Sequence, residues 1–379
     1  MYDLNQIKLV SKVLKNNKTN YWTGSECKKF EKEFSNYHNV KYSVAVSNGS
    51  VALEIALRAL NLKKGSQIIV TPRSFIISSS CVLNLGLKPV FADVDINGNL
   101  NLEGILKVYN KSVKAIILVH LNGLPCDIDP IIKFSKKNKI YLIEDCSQAH
   151  GAKYKGKNVG SFGDVATWSF CQDKIISTGG EGGMISTNSK TIWNSCWSFK
   201  DHGKDFKKVY FKKHKTGFKW LHDSLGSNYR MTEMQATLGR YQLKNLDKQI
   251  KKRNQIAKLY ISGLEFSFKK GLFIQPNFKS YLCRHSFYRL NLIVNSKLIN
   301  QLKLINELNK KKIQCGVGSC PEIYNEKVFK NNNFIQKKKL PMAKFLGKTS
   351  FVIPINPSKK LQKIKSEIQI IKNTIRKYI

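Results

Sequence analysis

Lys174 and Asp145 are the two residues of this chain whose types and spacing most clearly indicate chemistry. Lys174 lies in the glycine-rich stretch WSFCQDKIISTGGEGG (168–183), and Asp145 ends the apolar run KIYLIED twenty-nine residues earlier. A lysine amine can lose its proton and bond a carbonyl carbon as a Schiff base. A carboxylate at a strand end can keep a pyridine nitrogen protonated, which makes the ring an electron sink. Together the two residues indicate pyridoxal phosphate chemistry.

The stretch Ser47-Asn48-Gly49-Ser50 stands between a strand-like and a helix-like segment. Backbone N–H groups at a helix N-terminus, a small Gly49 and the Ser50 hydroxyl can cradle a phosphate. An ordinary serine N-cap explains the same residues. The spacing is neither the dinucleotide fingerprint nor a P-loop. Ser169, five residues before Lys174, is a candidate for the same phosphate.

Three further features fit a planar cofactor near Lys174. Phe75, in TPRSFIISSS, follows a strand and can cover a ring, although a core phenylalanine is the simpler interpretation. Gln148 lies three residues after Asp145, so both can face one cavity. The glycines around Glu181 let the backbone pass close to the lysine loop, or form a hinge.

The elements that must position these residues alternate between strand-like and helix-like runs up to about residue 190, which predicts a mostly parallel α/β sheet. Polar residues recur at the strand ends, where such sheets bind ligands. Beyond about residue 255 the runs become shorter and mixed. We therefore predict a large domain over 1–255 and a smaller C-terminal α+β domain over 256–379, with a segment of about 1–20 able to pack on the small domain.

Composition sets the limits of these interpretations. The chain has 379 residues and a formal net charge of +40, which could indicate a nucleic-acid partner. The lysines are dispersed among asparagine and isoleucine, however, and no nucleic-acid module appears, so a compositional bias is the simpler explanation. No apolar run is long enough to span a membrane. The 9 scattered cysteines form no Cys-x-x-Cys pair, so we expect no metal site and a cytoplasmic location.

Seven motifs occur in an order and spacing that resemble the DegT/DnrJ/EryC1/StrS family of sugar aminotransferases. They include SNGSVALEIALRAL, IEDCSQAHGAKYKG, CQDKIISTGGEGGMIST, FKDHGKD and GSNYRMTEMQATLG. The similarity runs from about Tyr21 to the C-terminus and is densest between residues 42 and 240. It implies the fold type I architecture of pyridoxal phosphate-dependent transferases.

The resemblance also implies a role for each candidate residue. Lys174 would form the Schiff base, Asp145 would pair with the ring nitrogen, and Gln148 would approach the phenolic oxygen. Phe75 would stack on the ring. The phosphate would be held by Gly49, Ser50 and Ser169, and by Asn228 from the other subunit of a homodimer.

The implied reaction moves an amino group, with glutamate as donor, to a keto group of a nucleotide-activated sugar in glycan biosynthesis. Lys174 would act as general base, and we expect desolvation and like-signed surroundings to lower its pKa. Cys171 stands where the family usually has histidine or another polar residue. CGVGSCPEIYNEKVF (315–329) replaces a histidine-rich and proline-rich loop, which indicates a distinct substrate branch.

Two other readings within this fold remain open. A related 3-dehydratase uses the pyridoxamine form of the cofactor, but such members replace the lysine with histidine. A non-catalytic regulatory or binding protein would be expected to lose Asp145 or Lys174. Both residues are present in this chain.

Overall fold

The computed structural model describes residues 2–278, 281–332, 334, 336 and 338–378. Its helices are α1 Leu4–Lys15, α2 Glu26–His38, α3 Gly49–Ala59, α4 Ile77–Asn84, α5 Leu102–Val108, α6 Ile128–Asn138, α7 Lys190–Lys200, α8 Phe206–Tyr210, α9 Glu233–Lys244, α10 Leu246–Gly263, α11 Glu265–Lys269, α12 Gln301–Lys310, α13 Lys327–Asn331, α14 Pro341–Thr349 and α15 Leu361–Ile375. Short 3-10 turns cover Leu121–Gly123, Ile323–Asn325 and Arg376–Tyr378.

The strands are β1 Tyr42–Val46, β2 Gln67–Val70, β3 Lys88–Phe91, β4 Val113–Val119, β5 Tyr141–Asp145, β6 Lys153–Tyr154, β7 Lys157–Asn158, β8 Val165–Ser169, β9 Gly183–Thr187, β10 Phe273–Ile274, β11 Cys283–Arg284, β12 Arg289–Val294 and β13 Ser350–Pro354. Seven of them form the main sheet in the order β1-β9-β8-β5-β4-β2-β3. β9 runs antiparallel to both of its neighbours, and the other pairings are parallel. This mixed, mostly parallel sheet confirms the predicted α/β class.

The strands of the main sheet are short apolar runs because helices cover both of their faces. β4, for example, is buried along its length except at Lys114. α3 packs on the sheet through an apolar face that includes Leu53, Ile55 and Ala56. Since the parallel strands end at the same edge of the sheet, the loops that follow them lie side by side there.

Two hydrophobic clusters lie along the chain. The first contains the main sheet, and the second lies under the small sheet β10-β12-β13 and helices such as α12 and α15. α10 joins them, because Ile250 packs in the first cluster and Ile256 in the second. The predicted boundary at 255 falls within this helix. The segment that contains Ile323 and Leu346 returns to the first cluster, so the division into two folding units stays a prediction.

The N-terminal segment contacts α9 and the glycine-rich loop that follows Lys174. α1 packs against α9, and the Tyr241 hydroxyl donates a hydrogen bond of 2.9 Å to Asp3. The Tyr2 hydroxyl bonds Ser177 at 3.0 Å and accepts from the Gly179 N–H at 2.9 Å. These contacts join the segment to α9 and to the glycine loop. Its packing on the small domain stays a prediction.

Candidate active site

The predicted site residues converge on one chamber at the carboxyl edge of the main sheet. The loops after β1, β2, β5 and β8 form its walls and enclose about 690 Å³. The chamber is lined by Gly49, Ser50, Phe75, Asp145, Gln148, Ser169 and Lys174, which are seven of the eight residues singled out from the sequence.

The turn between β1 and α3 forms the cradle that the sequence predicted. Asn48 caps α3, since its side chain accepts a hydrogen bond of 2.9 Å from the Val51 N–H. Gly49 and Ser50 follow in the first turn, where the positive end of the helix dipole favours an anion. A Cβ atom at Gly49 would lie 2.5 Å from the Cβ of Ser169, so only glycine fits beside this strand end. The arrangement fits a phosphate group.

Asp145 ends β5 with its carboxylate fixed from two sides. Its Oδ2 accepts a hydrogen bond of 2.8 Å from Ser78 Oγ, and its Oδ1 accepts one of 3.1 Å from the Ser147 N–H. The residue is 5 % exposed. A carboxylate oxygen can accept more than one hydrogen bond, so both oxygens keep capacity for a ring nitrogen. Sequence reasoning missed Ser78, whose only local signal was the run of serines after Phe75.

Glu144 precedes Asp145 but points to the opposite face of the sheet, because side chains alternate along a strand. Its carboxylate is fully buried and accepts hydrogen bonds from His120 Nε2 and from the N–H groups of Gly160, Phe162 and Gly163. Burial alone would raise the pKa of Glu144, but His120 and these donors lower it below its usual value. The Cys126 N–H donates to His120 Nδ1, so both ring nitrogens are engaged. We therefore interpret this buried pair as structural.

Gln148 and Phe75 differ in how firmly they are held. The Gln148 side chain is buried, and its Oε1 accepts a hydrogen bond of 2.9 Å from the Asn122 N–H. That contact leaves its amide NH₂ free to donate into the chamber. Phe75 is 67 % exposed at the chamber mouth. It is therefore not a core phenylalanine, and its ring is available to a planar group.

Lys174 extends from the loop after β8, and its side chain is 16 % exposed. The Gln172 N–H donates to the Gly180 carbonyl at 3.0 Å, so the glycine loop passes beside the lysine loop as expected. Gly180 has a φ of +125°, which favours glycine. Burial lowers the pKa of Lys174, but Tyr288 and Asp173 outweigh burial and raise it above its usual value. The expected lowering was therefore wrong for the free amine, because an acidic neighbour and not a cation lies beside it.

Tyr288 and Arg289 are site residues that the sequence did not reveal. They stand at the start of β12, and both line the chamber with Asp173. FYRLNLIVN was interpreted only as a strand of the C-terminal region. The charged Asp173 next to Lys174 was the one local sign that this lysine has polar partners.

Residues from 318 to 326 form a further wall of the chamber. Gly318, Ser319, Cys320, Ile323 and Glu326 line the chamber, and the Ile323 N–H donates to the Pro72 carbonyl at 2.9 Å. Cys171 also lines it, with its Sγ 3.8 Å from Glu181 Oε1. The two positions that depart from the family pattern thus line the same chamber, and the Cys171 N–H donates a hydrogen bond of 3.4 Å to Ser169 Oγ of the cradle.

Asn228 is the one candidate that lies outside the chamber of its own chain. It is exposed and pairs with Asp201 through a backbone bridge. The next residue, Tyr229, accepts a hydrogen bond of 2.9 Å from the Ser47 N–H, so this segment runs beside the strand end that carries the cradle. The Asn228 side chain is therefore available to another molecule.

A second chamber of about 780 Å³ lies on the other side of Lys174. Its walls are rich in amides and cations, including Gln172, Gln242, Arg253, Gln314 and Asn356. The two chambers share the residues Asp173, Lys174, Tyr288 and Arg289. Lys174 thus stands at the boundary between them.

Comparisons with known proteins agree with this geometry. A model described as the DegT/DnrJ/EryC1/StrS aminotransferase family matches residues 2–372. GDP-perosamine synthase of Escherichia coli O157:H7 is 34% identical over 340 residues, which cover 88% of this chain and 86% of that protein.

Solved structures show the same architecture. An aminotransferase from Psychrobacter cryohalolentis is 42% identical, with a TM-score of 0.97 over 100% of this chain and 98% of that one. The E. coli GDP-4-keto-6-deoxy-D-mannose-3-dehydratase with bound hydrated PLP is 26% identical, with a TM-score of 0.87 over 98% and 97%. These findings confirm the predicted fold type I architecture and pyridoxal phosphate as the cofactor.

Proposed function

The chain belongs to the DegT/DnrJ/EryC1/StrS aminotransferase family, and on this premise we propose that it moves an amino group from an amino acid to the keto group of a nucleotide-linked sugar. One observation carries the proposal: Lys174 and the fixed carboxylate of Asp145 face a single chamber that also contains a phosphate cradle. The relatives named above support the substrate class, because perosamine is an amino sugar made on a nucleotide carrier.

Pyridoxal phosphate, when bound, supplies an aldehyde for the amino group and a ring that withdraws electrons from the bond to be broken. The residues of the chamber would bind the cofactor and transfer the proton. Gly49, Ser50 and Ser169 would hold the phosphate, and Asp145 would keep the ring nitrogen protonated. Lys174 would bond the cofactor at rest and move a proton at its Nζ during transfer.

We propose glutamate as the amino donor. The resemblance supports this choice, and so does Arg289, whose guanidinium lines the chamber and suits a carboxylate. The keto sugar would be bounded by the wall 318–326 and by Cys171, which are the parts that depart from the family pattern. That location supports a distinct choice of acceptor.

We also propose a homodimer in which each active site takes Asn228 from the partner subunit. The exposed position of Asn228 outside its own chamber supports this arrangement. Cyclic dimers are the commonest closed assembly.

We place the reaction in the cytoplasm. Five free cysteines are buried, and they are Cys27, Cys81, Cys126, Cys146 and Cys196. Free buried thiols suit a reducing compartment. Separately, none of the described helices has the length and apolar character to cross a lipid bilayer.

The experiment is a reduction with borohydride followed by a transfer assay. Purified chain with pyridoxal phosphate should absorb in the visible range, and reduction should fix the cofactor to the peptide that contains Lys174. Glutamate plus a panel of nucleotide-linked keto sugars should then yield an amino sugar by mass spectrometry. Lys174→Ala should lose both signals, while the exposed control Lys269→Ala should keep them. Full turnover by Lys174→Ala would overturn the proposal.

A dehydratase would give a different outcome in the same assay. It would remove a hydroxyl group from the sugar and leave no new amino group. The lysine at position 174 favours the transaminase, since the dehydratases of this fold replace it with histidine.

A further inference from the structure

Tyr288 lies at the centre of a hydrogen-bonded cluster around the free amine of Lys174. Its hydroxyl accepts hydrogen bonds from Lys174 Nζ at 3.4 Å and from an Arg289 guanidinium nitrogen at 3.0 Å, and it donates to Asp173 Oδ2. A phenol has one donor and two acceptor sites, so this geometry uses all of them. Asp173 Oδ1 also lies 3.4 Å from Lys174 Nζ.

The backbone that presents Tyr288 is held in an uncommon conformation. Phe287 has a φ of +48°, in the left-handed region that residues with a side chain rarely adopt. Its N–H donates to His285 Nδ1 at 2.8 Å, and its carbonyl accepts from the Arg253 guanidinium at 3.2 Å. Such conformations persist where surrounding contacts impose them, often at functional sites. Here they turn a 5 % exposed tyrosine toward the lysine.

The cluster joins two distant parts of the chain. Lys174 and Asp173 follow β8 of the main sheet, whereas Tyr288 and Arg289 begin a strand of the small sheet. These four residues line both chambers and therefore lie between them. An amine released from the cofactor can therefore bind to this polar cluster, which lies at the boundary of the two chambers.

We propose that Tyr288, braced by Asp173 and Arg289, is a positioning residue that holds the amine of Lys174 whenever this nitrogen is not bonded to the cofactor. The inference rests on the proposed function only in taking Lys174 as the lysine that bonds the cofactor. The lysine side chain has a flexible four-carbon stem. A contact that holds its amine therefore reduces the number of conformations that the side chain samples before the amine reaches the reacting carbon. Burial raises the pKa of the Tyr288 phenol, and the hydrogen bond to Asp173 adds to this, although Lys174 and Arg289 lower it.

The charges around Lys174 set the expected pH dependence. Asp173 and Tyr288 face the amine directly, and Arg289 lies behind them. The other ionisable side chains that line the chambers are Tyr2, Asp145, Cys171, Glu181, Arg253, Cys320 and Glu326. Because Asp173 and Tyr288 stabilise the ammonium form, removal of either should lower the pH at which the amine loses its proton.

The test measures the titration of Lys174 in the full-length chain freed of cofactor. Competitive acetylation with acetic anhydride between pH 7 and 11, read by mass spectrometry, reports the reactivity of this one amine. We expect Tyr288→Phe to move its midpoint down by about half a unit or more, and Asp173→Asn by about one unit. Tyr154→Phe is the matched control, because Tyr154 is also buried and its hydroxyl also bonds an aspartate. That control should leave the midpoint unchanged.

Each outcome has a distinct meaning. A wild-type midpoint in folded Tyr288→Phe overturns the proposal. If that variant unfolds, Asp173→Asn decides, since Asp173 is half exposed and its amide preserves the shape. Corrected for the fraction of deprotonated amine, the rate at which added pyridoxal phosphate develops its visible band should fall in Tyr288→Phe and not in Tyr154→Phe. If wild-type protein never develops that band, the proposed function fails, while the acetylation result still decides the role of Tyr288.

Discussion

Ser78 Oγ donates a hydrogen bond of 2.8 Å to Asp145 Oδ2, and so fixes the carboxylate at the end of β5 from the neighbouring helix α4. Ser74 in turn bonds Ser78 at 2.9 Å. These contacts come from the loop and helix that follow β2, two strands away from β5 in the sheet. The orientation of Asp145 therefore depends on the assembled sheet edge and not on its own strand alone.

The first prediction concerns the charge of Asp145. Asp145→Asn should keep the fold, because the amide oxygen can still accept from the Ser147 N–H while the amide NH₂ donates to Ser78 Oγ, whose hydroxyl can rotate. It cannot keep a ring nitrogen protonated, so we expect the transfer rate to fall about a hundredfold, or about 3 kcal/mol in the barrier. Stopped-flow kinetics with glutamate measure it. Asp129→Asn, at a surface ion pair with Lys155, should behave as wild type. Unchanged kinetics in Asp145→Asn would show that the carboxylate is structural.

The second prediction concerns space in the cradle. In Gly49→Ala the new Cβ would lie 2.5 Å from Ser169 Cβ, so α3 or β8 must shift. We expect the affinity for pyridoxal phosphate to fall by about tenfold or more, which is over 1 kcal/mol. An absorbance titration measures it. Gly316→Ala, where an added Cβ has no heavy atom within 4 Å, is the control.

A double variant tests the cause of this loss. Adding Ser169→Gly to Gly49→Ala removes the clash together with one hydroxyl, so part of the affinity should return. Strictly additive losses in the double variant would mean that the two residues do not compete for space.

The third prediction concerns assembly. If Asn228 completes the partner's site, a hybrid of Lys174→Ala and Asn228→Ala chains contains one site with both residues intact. Random mixing then restores about a quarter of wild-type activity, since half of the dimers are hybrids with one good site. The assay should run at limiting pyridoxal phosphate, where the loss of Asn228 is most visible. No recovery despite measured subunit exchange would count against a shared site.

The fourth prediction concerns stability in acid. Burial lowers the pKa of His38 to about 4. Between pH 6.5 and 4 the unfolded chain takes up a proton that the folded chain excludes, so the free energy of unfolding decreases as the pH falls. His38 should account for about 2 kcal/mol of the loss between pH 7 and pH 5. Urea unfolding of wild type and His38→Phe at both pH values measures it, with the exposed His222→Phe as control. Equal pH dependence in wild type and His38→Phe would contradict the assignment.

Much of the sheet could be predicted from the sequence because its signals are local. The run YSVAV and the helix-like VALEIALRAL correspond to β1 and α3, and the runs QIIV, KPVF and YLIED became β2, β3 and β5. Gly49, Asp145 and Lys174 could be found because each lies next to a strand end or a glycine cluster. The antiparallel direction of β9 could not be predicted in this way, because the residue pattern of a short apolar strand does not depend on whether the strand pairs parallel or antiparallel.

The partners of Lys174 could not be predicted in the same way. Tyr288 lies 114 positions away along the chain and reaches the lysine only through the packing of the small sheet. The expected direction of the Lys174 pKa was wrong, because Tyr288 could not be identified as a neighbour of the amine and the effect of the adjacent Asp173 was not counted. Long-range packing, rather than local pattern, decides such contacts.

The wall from Gly318 to Glu326 has a consequence for how this enzyme could diversify. The cradle, Asp145 and Lys174 come from the first half of the chain, whereas this wall is one short continuous segment anchored to Pro72 by a single backbone hydrogen bond. If this segment bounds the acceptor sugar as proposed, substitutions within these nine positions would change the acceptor side and leave Gly49, Asp145 and Lys174 in place. We expect grafts of this segment between relatives to exchange sugar preference.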